Sequence, residues 1–317
     1  MVKVSVYCFA FNHEKFIRDT LEGFVQQKTE FEYEVFVHDD ASTDGTKKII
    51  QEYEEKYPEI IKPIYQTVNQ YSQGINLVGT HIFPRMSGQY VAICEGDDYW
   101  CDNYKLQKQV EFLDNHPEYG ACVHNTIILD MDTQEKRLLN PAKEPYDLDI
   151  KHVIQEGSSD YHTSAVMYRM EHAKVIYSSE CPEFYHKPKN IEDYPLAIYL
   201  TLHGKVRYIP DVMSVYRYGT PGSFTKSINR LTLYLEVRRS VIDMLNGVDK
   251  YTNYELHPEI QEIIDERYWE IMVLSTDIGV LKEPGIQRVF KKQSLIQKIK
   301  TIIKLLYLNK YRMKKHA

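Results

Sequence analysis

VSVYCFAFNHEKFIRDTLEGFVQQ, residues Val4–Gln27, is the stretch on which the fold turns. Val4 to Phe9 is a short apolar run rich in β-branched and aromatic side chains, the composition of a strand. After a polar break at Asn12 and His13, Glu14 to Gln27 carries Phe16, Ile17, Leu21, Phe24 and Val25 at helical spacing. A strand followed at once by an amphipathic helix is the first half of a βαβ unit.

The same alternation continues downstream. Glu34 to His38 is the next strand, and Ser42-Thr43-Asp44 supplies caps for a helix from Thr46 to Lys56 that closes before Pro58. Ile60 to Tyr65 is a third strand, Ile75 to Met86 a helix and Tyr90 to Cys94 a fourth strand. Lys105 to Asn115 is a helix stopped by Pro117, and Ala121 to Leu129 a further strand. Strands alternating with such helices predict an α/β fold, a mainly parallel sheet with helices on both faces. Ligands of such sheets sit beyond the carboxyl ends of the strands.

Past Asp130 the pattern loosens. Lys136 to Asp149 reads as a loop, His162 to Arg169 as a strand, Asp193 to His203 as a helix, and Val206–Ile209 and Val212–Tyr218 as short strands. From Arg230 the chain is predicted helical, over Arg230–Leu245, Glu259–Val280 and Gln293–Leu308. The expected division is a catalytic domain over 1–225 and a helical extension over 226–317.

At 317 residues the chain is long enough for one substantial core and an appended segment, and 43% hydrophobic with 26% charged residues is an ordinary globular balance. Five cysteines without a CxxC pair argue against a disulfide framework or a structural zinc site. The opening residues lack a basic and then apolar leader, and no apolar run reaches the roughly 18 residues of a membrane span. The expected location is therefore cytoplasmic. The net charge of −6 is unevenly spread: Ile286 to Ala317 holds ten Lys and Arg and no acid, leaving 29 basic against 45 acidic residues elsewhere. An acidic body of this kind excludes a general nucleic-acid binder, while the basic tail suits an anionic surface.

Polar clusters follow three strands: Phe11-Asn12-His13, Asp39-Asp40 and Glu95-Gly96-Asp97-Asp98. Carboxylates crowded at 95, 97 and 98 repel one another unless a cation compensates, and a few oxygen ligands suit Mg²⁺ or Mn²⁺ with phosphate oxygens completing the shell. Gly96 lets another group approach the backbone closely. From the residues alone a solvated acidic turn and a metal site are both open, and Tyr99-Trp100 is ordinary core packing.

Three stretches, Val4–Gln27, EVFVHDDASTDGT over Glu34–Thr46 and GQYVAICEGDDYWCDNYKLQKQVEFL over Gly88–Leu113, together resemble family 2 glycosyltransferases with the GT-A fold, a Rossmann-like nucleotide-binding sheet. The likeness covers about the first 115 residues and continues more weakly to Tyr218. The family's DxD motif stands here as Glu95-Gly96-Asp97, with Glu at its first position; its longer side chain leaves metal, ribose hydroxyl or neither as its contact. The resemblance implies that Phe11 stacks on the base, that Phe9 and Ala10 line the base pocket, and that Asp40 accepts a hydrogen bond from the base edge. It further implies that Glu95 faces the ribose and that Asp97 binds a metal bridging both phosphates, with Asp98 in support. A carboxylate reading N3–H of uracil favours UDP-sugars over GDP-sugars.

In the family the catalytic base of an inverting transfer is the last residue of an ED pair about a hundred residues further on. Asn190-Ile191-Glu192-Asp193-Tyr194-Pro195 supplies it here, so the resemblance makes Asp193 the base with Glu192 beside it. By its residues alone Asp193 is also an ordinary helix cap. His162-Thr163-Ser164 is a candidate for sugar hydroxyls or else a wet strand edge. Arg217, within Tyr216-Arg217-Tyr218-Gly219-Thr220-Pro221-Gly222-Ser223, is a candidate contact to the diphosphate where relatives carry a closing loop. His124 and Arg85 are read as structural.

Between Leu295 and Leu308 apolar residues fall at 295, 296, 299, 302, 303 and 306, with Lys298, Thr301 and Lys304 opposite, and Lys310, Arg312, Lys314 and Lys315 follow. This pattern fits a helix lying on a membrane surface, or one packed on protein. The expected function is an inverting, metal-dependent glycosyltransferase moving a hexose or N-acetylhexosamine from a nucleotide-diphosphate sugar to a saccharide acceptor. The acceptor would be lipid-linked, in capsule or surface-polysaccharide assembly at the inner face of the membrane. The alternatives are a cytosolic transferase acting on protein-bound glycans, a nucleotidyltransferase and a non-enzymatic sugar-nucleotide-binding regulator. Cys8-Phe9-Ala10-Phe11-Asn12 lacks the Gly-rich basic loop of nucleotidyltransferases, and a regulator needs no base.

Overall fold

The computed structural model describes residues 1–188, 191–223, 231–275 and 277–315, with side chains described to residue 306. Asn190, Arg230, the predicted domain boundary at 225/226 and the side chains of Lys310, Arg312, Lys314 and Lys315 lie outside the described residues. The chain forms two compact units: Met1–Cys181 with Leu196–Ser223, and Pro182–Pro195 with the chain after Ser223.

The first unit is built on one mixed sheet. β1 (Val4–Ala10) pairs in parallel with β2 (Tyr33–Asp39) on one side and β4 (Tyr90–Ile93) on the other, and β2 pairs in parallel with β3 (Ile61–Tyr65). Beyond β4 the sheet continues through β9 (Met167–Arg169), antiparallel to both β4 and β6 (Tyr119–Asp130), and then through β10 (Lys205–Tyr218), parallel to β6. The two-residue strand β5 (Tyr99–Trp100) closes that edge against β10. The sheet is curled and mostly parallel, with helices around it, as the α/β pattern predicted.

β1 is central because it can be buried on both sides, and six of its seven residues are. Val4, Val6, Cys8 and Ala10 join one core with Ile17, Leu21 and Phe24 of α1 (Ile17–Val25), Ile50 and Tyr53 of α2 (Thr46–Lys56), and Leu106, Val110 and Leu113 of α3 (Lys105–Asn115). Side chains four or three apart on each helix supply that apolar stripe. A Cβ at Gly23 would stand 2.8 Å from the carbonyl oxygen of Trp100, so glycine is what lets α1 lie against β5.

One core position breaks the apolar pattern. Lys105 is fully buried, its Nζ donating to Gln109 Oε1 at 2.7 Å and lying 4.1 Å over the Trp100 ring. Burial pulls its pKa down to about 7. Gln109 in turn donates to the carbonyl of Ala165 at 2.9 Å, tying α3 to the turn before β9.

Several local expectations are corrected. The predicted helix over Ile75–Met86 is a π-helical turn, Val78–Ile82, running into a 3-10 turn, Phe83–Arg85, because Pro84 cannot continue an α-helix. The predicted loop over Lys136–Asp149 contains β7 (Lys136–Leu138) and β8 (Tyr146–Asp147), short antiparallel additions to β6 and β10. The predicted strand over His162–Arg169 is a 3-10 turn, Thr163–Ala165, followed by β9: the His162 ring accepts the N–H of Ser164 and caps the turn. The two strands expected across Val206–Tyr218 are one strand whose register shifts between Ile209 and Val212, around Pro210, which has no N–H to give. Short helices α4 (Ile150–Glu156) and α5 (Met170–Ile176) were not predicted.

α6 (Asp193–His203) starts in the second unit and ends in the first. The rest of the second unit is helical: α7 (Leu231–Tyr251), α8 (His257–Leu274), α9 (Pro284–Lys292) and α10 (Leu295–Lys315). The helix predicted to run to Val280 ends at Leu274; a separate 3-10 turn, Ile278–Lys282, follows, capped by Asp277. α9 lies between two predicted helices, in a stretch to which no helix was assigned.

Candidate functional site

Parallel pairing of β1, β2 and β4 brings their carboxyl ends to one edge of the first unit, where the three polar clusters meet. Chain reversal there requires left-handed backbone at Asn12 (φ 57°) and Ala41 (φ 64°). The two loops are stapled: Asn12 N–H donates to Ser42 Oγ at 2.9 Å, and Asn12 Oδ1 accepts from the N–H of Thr43 at 2.8 Å. Asp44 accepts the N–H groups of Glu14 and Thr46, serving the starts of two elements at once.

Phe9 and Ala10 end β1, and Phe11 follows with 43% of its surface exposed, an apolar ring left in the open. Asp40 is buried, and its two oxygens accept the N–H groups of Gln70 and Tyr71 at 2.8 and 3.0 Å. It therefore anchors the loop after β3, which carries exposed Tyr71, and a carboxylate has lone pairs left for a further donor. Asp39, its neighbour, has a buried Oδ2 with no partner, and burial raises its pKa.

Glu95, Gly96, Asp97 and Asp98 leave β4 in a tight turn, Asp98 N–H bonding to the Glu95 carbonyl at 3.1 Å. Gly96 rests on the end of β1: its N–H donates to the Phe9 carbonyl at 2.8 Å, and a Cβ would come within 2.7 Å of that oxygen. Thr20 Oγ1 of α1 supports the turn from below by bonding the carbonyls of Gly96 and Asp98. Glu95 is exposed, Asp97 and Asp98 are buried, and one oxygen of each lies within 4.8 Å of the others.

Second-half residues lock this cluster. Thr220 Oγ1 donates to Asp97 Oδ2 at 2.7 Å. The Arg217 N–H donates to Asp98 Oδ1 at 2.8 Å. The Arg217 guanidinium is 5% exposed; it donates to the Asp97 carbonyl at 2.8 Å and to Asp19, and lies 4.5 Å from the centre of the Tyr99 ring and 5.3 Å from that of Phe16. Nη1 thus shapes the acidic turn, while Nη2 reaches the exposed carboxylate of Asp19. His162 stacks on Tyr216 at 4.1 Å, bonds Ser164 Oγ through Nδ1 at 2.9 Å and brings Nε2 to 3.6 Å from Asp98 Oδ2. Thr163 lies in the 3-10 turn beside it.

The turn gathers three carboxyl groups that could hold a cation. Burial, then the charges of Asp97 and Glu95, push the Asp98 carboxyl well above the ordinary range. Burial holds His162 down to about 4, so the ring beside Asp98 is neutral and offers no compensating charge. The Arg217 guanidinium offsets part of the charge, and the crowded oxygen donors suit a hard divalent ion, which Asp97 with Glu95 or Asp98 would hold.

Asp193 opens α6, with Pro195 in its first turn, and Glu192 precedes it as an exposed residue. Both belong to the second unit, whereas the acidic turn belongs to the first. Asp19, Thr20 and Thr220 were not singled out as site residues in the sequence. Thr220 sits within a stretch already singled out, but Asp19 and Thr20 are ordinary polar positions on a helix and carry no local signal.

The chain matches the model of glycosyl transferase family 2 over residues 5–176. It is 31% identical over 254 residues to the uncharacterised protein Rv1520 of Mycobacterium tuberculosis, covering 77% of this chain and 69% of that one. Over 119 residues, 37% of this chain and 20% of the relative, it is 30% identical to the poly(ribitol-phosphate) β-N-acetylglucosaminyltransferase TarS of Staphylococcus aureus. The crystal structure of TarS residues 1–349 with UDP-GlcNAc aligns over 99% of this chain and 92% of that one, with a TM-score of 0.57 and 18% identity. The mannosyltransferase PcManGT of Pyrobaculum calidifontis, solved with GDP-Man and Mn²⁺, aligns over 98% and 82% with a TM-score of 0.55 and 16% identity. The GT-A architecture and the family match agree, and the chain belongs to glycosyl transferase family 2, as a transferase related to those of surface-polysaccharide and teichoic-acid synthesis.

Proposed function

We propose that the protein is an inverting, divalent-metal-dependent transferase that moves a hexose or N-acetylhexosamine from a UDP-sugar to a lipid-linked saccharide in surface-polysaccharide assembly. The observation that carries this is the acidic turn at the end of β4, held by Thr220 and Arg217 beside the exposed Phe11. Phe11 would take the base on its open face, with Phe9 and Ala10 behind it. Asp40 would accept from the base while keeping the Tyr71 loop in place. Asp97 would hold Mn²⁺ or Mg²⁺ with Asp98 behind it, and Glu95 would face the ribose. A bound ion supplies charge neutralisation of the leaving diphosphate.

Inversion needs one displacement. The acceptor oxygen forms its bond to the anomeric carbon as the bond to the diphosphate breaks, and Asp193 takes the hydroxyl proton. Glu192 and the pair His162 and Thr163 are candidates for sugar hydroxyls, and Arg217 acts by positioning Asp97 rather than by meeting phosphate.

The enzyme would work at the inner face of the cell membrane. Among the described residues no helix is long and apolar enough to cross a bilayer. α10 instead leaves Leu295, Ile296, Ile299, Ile303 and Leu306 exposed, while Leu305 is buried. At about 100° per residue the five exposed side chains fall within roughly one quadrant of the helix, flanked by Lys298 and Lys300. Lys298 and Lys304 reach the carbonyls of Lys291 and Val273, so the other side of α10 is fastened to its own unit.

Purified protein screened against UDP- and GDP-sugars with Mn²⁺ tests the assignment. Asp97→Ala is expected to abolish donor turnover and the thermal stabilisation given by UDP with Mn²⁺. Full activity in EDTA, or a wild-type Mn²⁺ response in the variant, would sink it.

A further inference from the structure

The second unit contains an open groove of about 810 Å³ between α8 and the segment from α9 into the start of α10. Its size lies within the ~300–1,000 Å³ of small-molecule sites. Trp269 lines it, one of only two tryptophans in the chain; the other, Trp100, is core and bonds Ser164. Trp269 is half-buried, and its side chain has neither a ring partner nor a hydrogen bond among the described residues. Gln293, also on the groove, has both amide atoms shut from solvent and without a partner. An amide so placed is unfavourable unless something pairs with it.

The charge of the groove narrows the ligand. Its cation Lys292 pairs with Asp265 at 2.6 Å, and Arg288 reaches the same carboxylate at 2.8 Å. Glu262 and Glu266, one turn apart on α8, are exposed and have no cationic partner among the described residues. Two cations share the one Asp265 carboxylate, so with Glu262 and Glu266 the groups sum to a net charge of −1, which disfavours phosphates, nucleotides and acidic glycans. The same carboxylates and the Gln293 amide accept from and donate to neutral hydroxyls, and an indole offers apolar surface to the C–H face of a pyranose ring.

We propose that this groove is a binding site for a neutral oligosaccharide, with Trp269 as its platform and Glu262, Glu266 and Gln293 as hydroxyl partners. Its use in retaining the growing acceptor rests on the transferase function proposed above; the binding itself does not. A site that grips sugars already added would let one enzyme molecule extend the same chain repeatedly.

Tryptophan fluorescence of the full chain provides the test, because Trp100 is buried and iodide reaches Trp269 alone. The probes are maltohexaose, cellohexaose and chitohexaose at millimolar concentration, with hyaluronan hexasaccharide as the acidic comparator. At least one neutral probe is expected to protect Trp269 from iodide, and the acidic one to give no protection. Glu262→Ala with Glu266→Ala, at exposed positions that leave the fold intact, is expected to weaken protection at least ~5-fold. Trp269→Ala is expected to abolish retention of the same oligosaccharide on immobilised protein while leaving UDP-sugar hydrolysis unchanged, so a failed groove and a failed transferase assignment give different results. No response to any neutral probe, equal binding of hyaluronan hexasaccharide, or an unaffected double variant overturns the proposal. So does a change from dimer to monomer in Trp269→Ala, which would make the groove a contact between copies of the chain.

Discussion

Ile299→Glu with Ile303→Glu is the perturbation that separates a membrane-facing helix from one packed on protein. Full burial of an isoleucine side chain is worth ~1.5–3 kcal/mol. Ile299 is 49% and Ile303 61% exposed, so about half of that, ~1 kcal/mol each, is available on docking. Each glutamate also opposes the ~1 kcal/mol that a nearby cation gains at an anionic surface. The sum, ~4 kcal/mol, corresponds to a loss of ~10²- to 10³-fold in partition. Co-sedimentation with phosphatidylglycerol-containing vesicles measures it, with pure phosphatidylcholine vesicles as the comparison. Raising ionic strength toward 1 M, where screening acts within ~3 Å, is expected to weaken wild-type binding as well. Because both positions are exposed and glutamate is a good helix former, the melting temperature is expected to stay within the range of neutral surface changes. Unchanged partition would refute the reasoning, and a fall in Tm or a change of oligomeric state would show the stripe to be covered by protein.

Three further outcomes are expected. Asp193→Asn keeps the cap but removes the proton acceptor, so transfer is expected to fall at least ~10²-fold with nucleotide affinity little changed; collapse of donor binding would make Asp193 a structural cap. Thr220→Val preserves shape but strips the hydrogen bond from Asp97 Oδ2, and a ~10- to 100-fold weaker Mn²⁺ response in donor hydrolysis is expected at unchanged Tm. A wild-type Mn²⁺ titration would remove Thr220 from the site. Lys105→Met addresses the buried amine: with a folded pKa of about 7 against 10.5 unfolded, the unfolded chain holds the extra proton between these values, so stability rises with pH across that window. The variant is expected to gain less stability than the wild type between pH 7 and 9 in urea titrations, and parallel pH profiles would contradict the assignment.

Much of the first unit was legible because its signals are local. Helices α2 and α3 have the predicted ends: Pro58 and Pro117 punctuate the chain just beyond them. β1, β2 and β4 lie within two residues of expectation, since alternation and β-branching mark strands wherever they pair. The acidic turn was visible as a composition, three carboxylates in four residues. Misplaced elements failed for equally local reasons, as at Pro84, where a helical pattern of apolar residues could not form an α-helix, and at His162, whose ring caps a turn instead of extending a strand.

By itself, then, the sequence determined the alternation of strand and helix, the family and the polar character of the strand ends, all of which depend on neighbours a few residues apart. Only the tertiary structure decided what surrounds the carboxylates. Thr220 meets Asp97 across 123 residues, and Arg217 meets Asp19 across 198. β9 enters antiparallel between β4 and β6, and β5 pairs with a strand more than a hundred residues away. No local propensity encodes such partners. They are selected by which packing buries the core while leaving the fewest polar groups unpaired, and that balance is struck only when the whole sheet has closed.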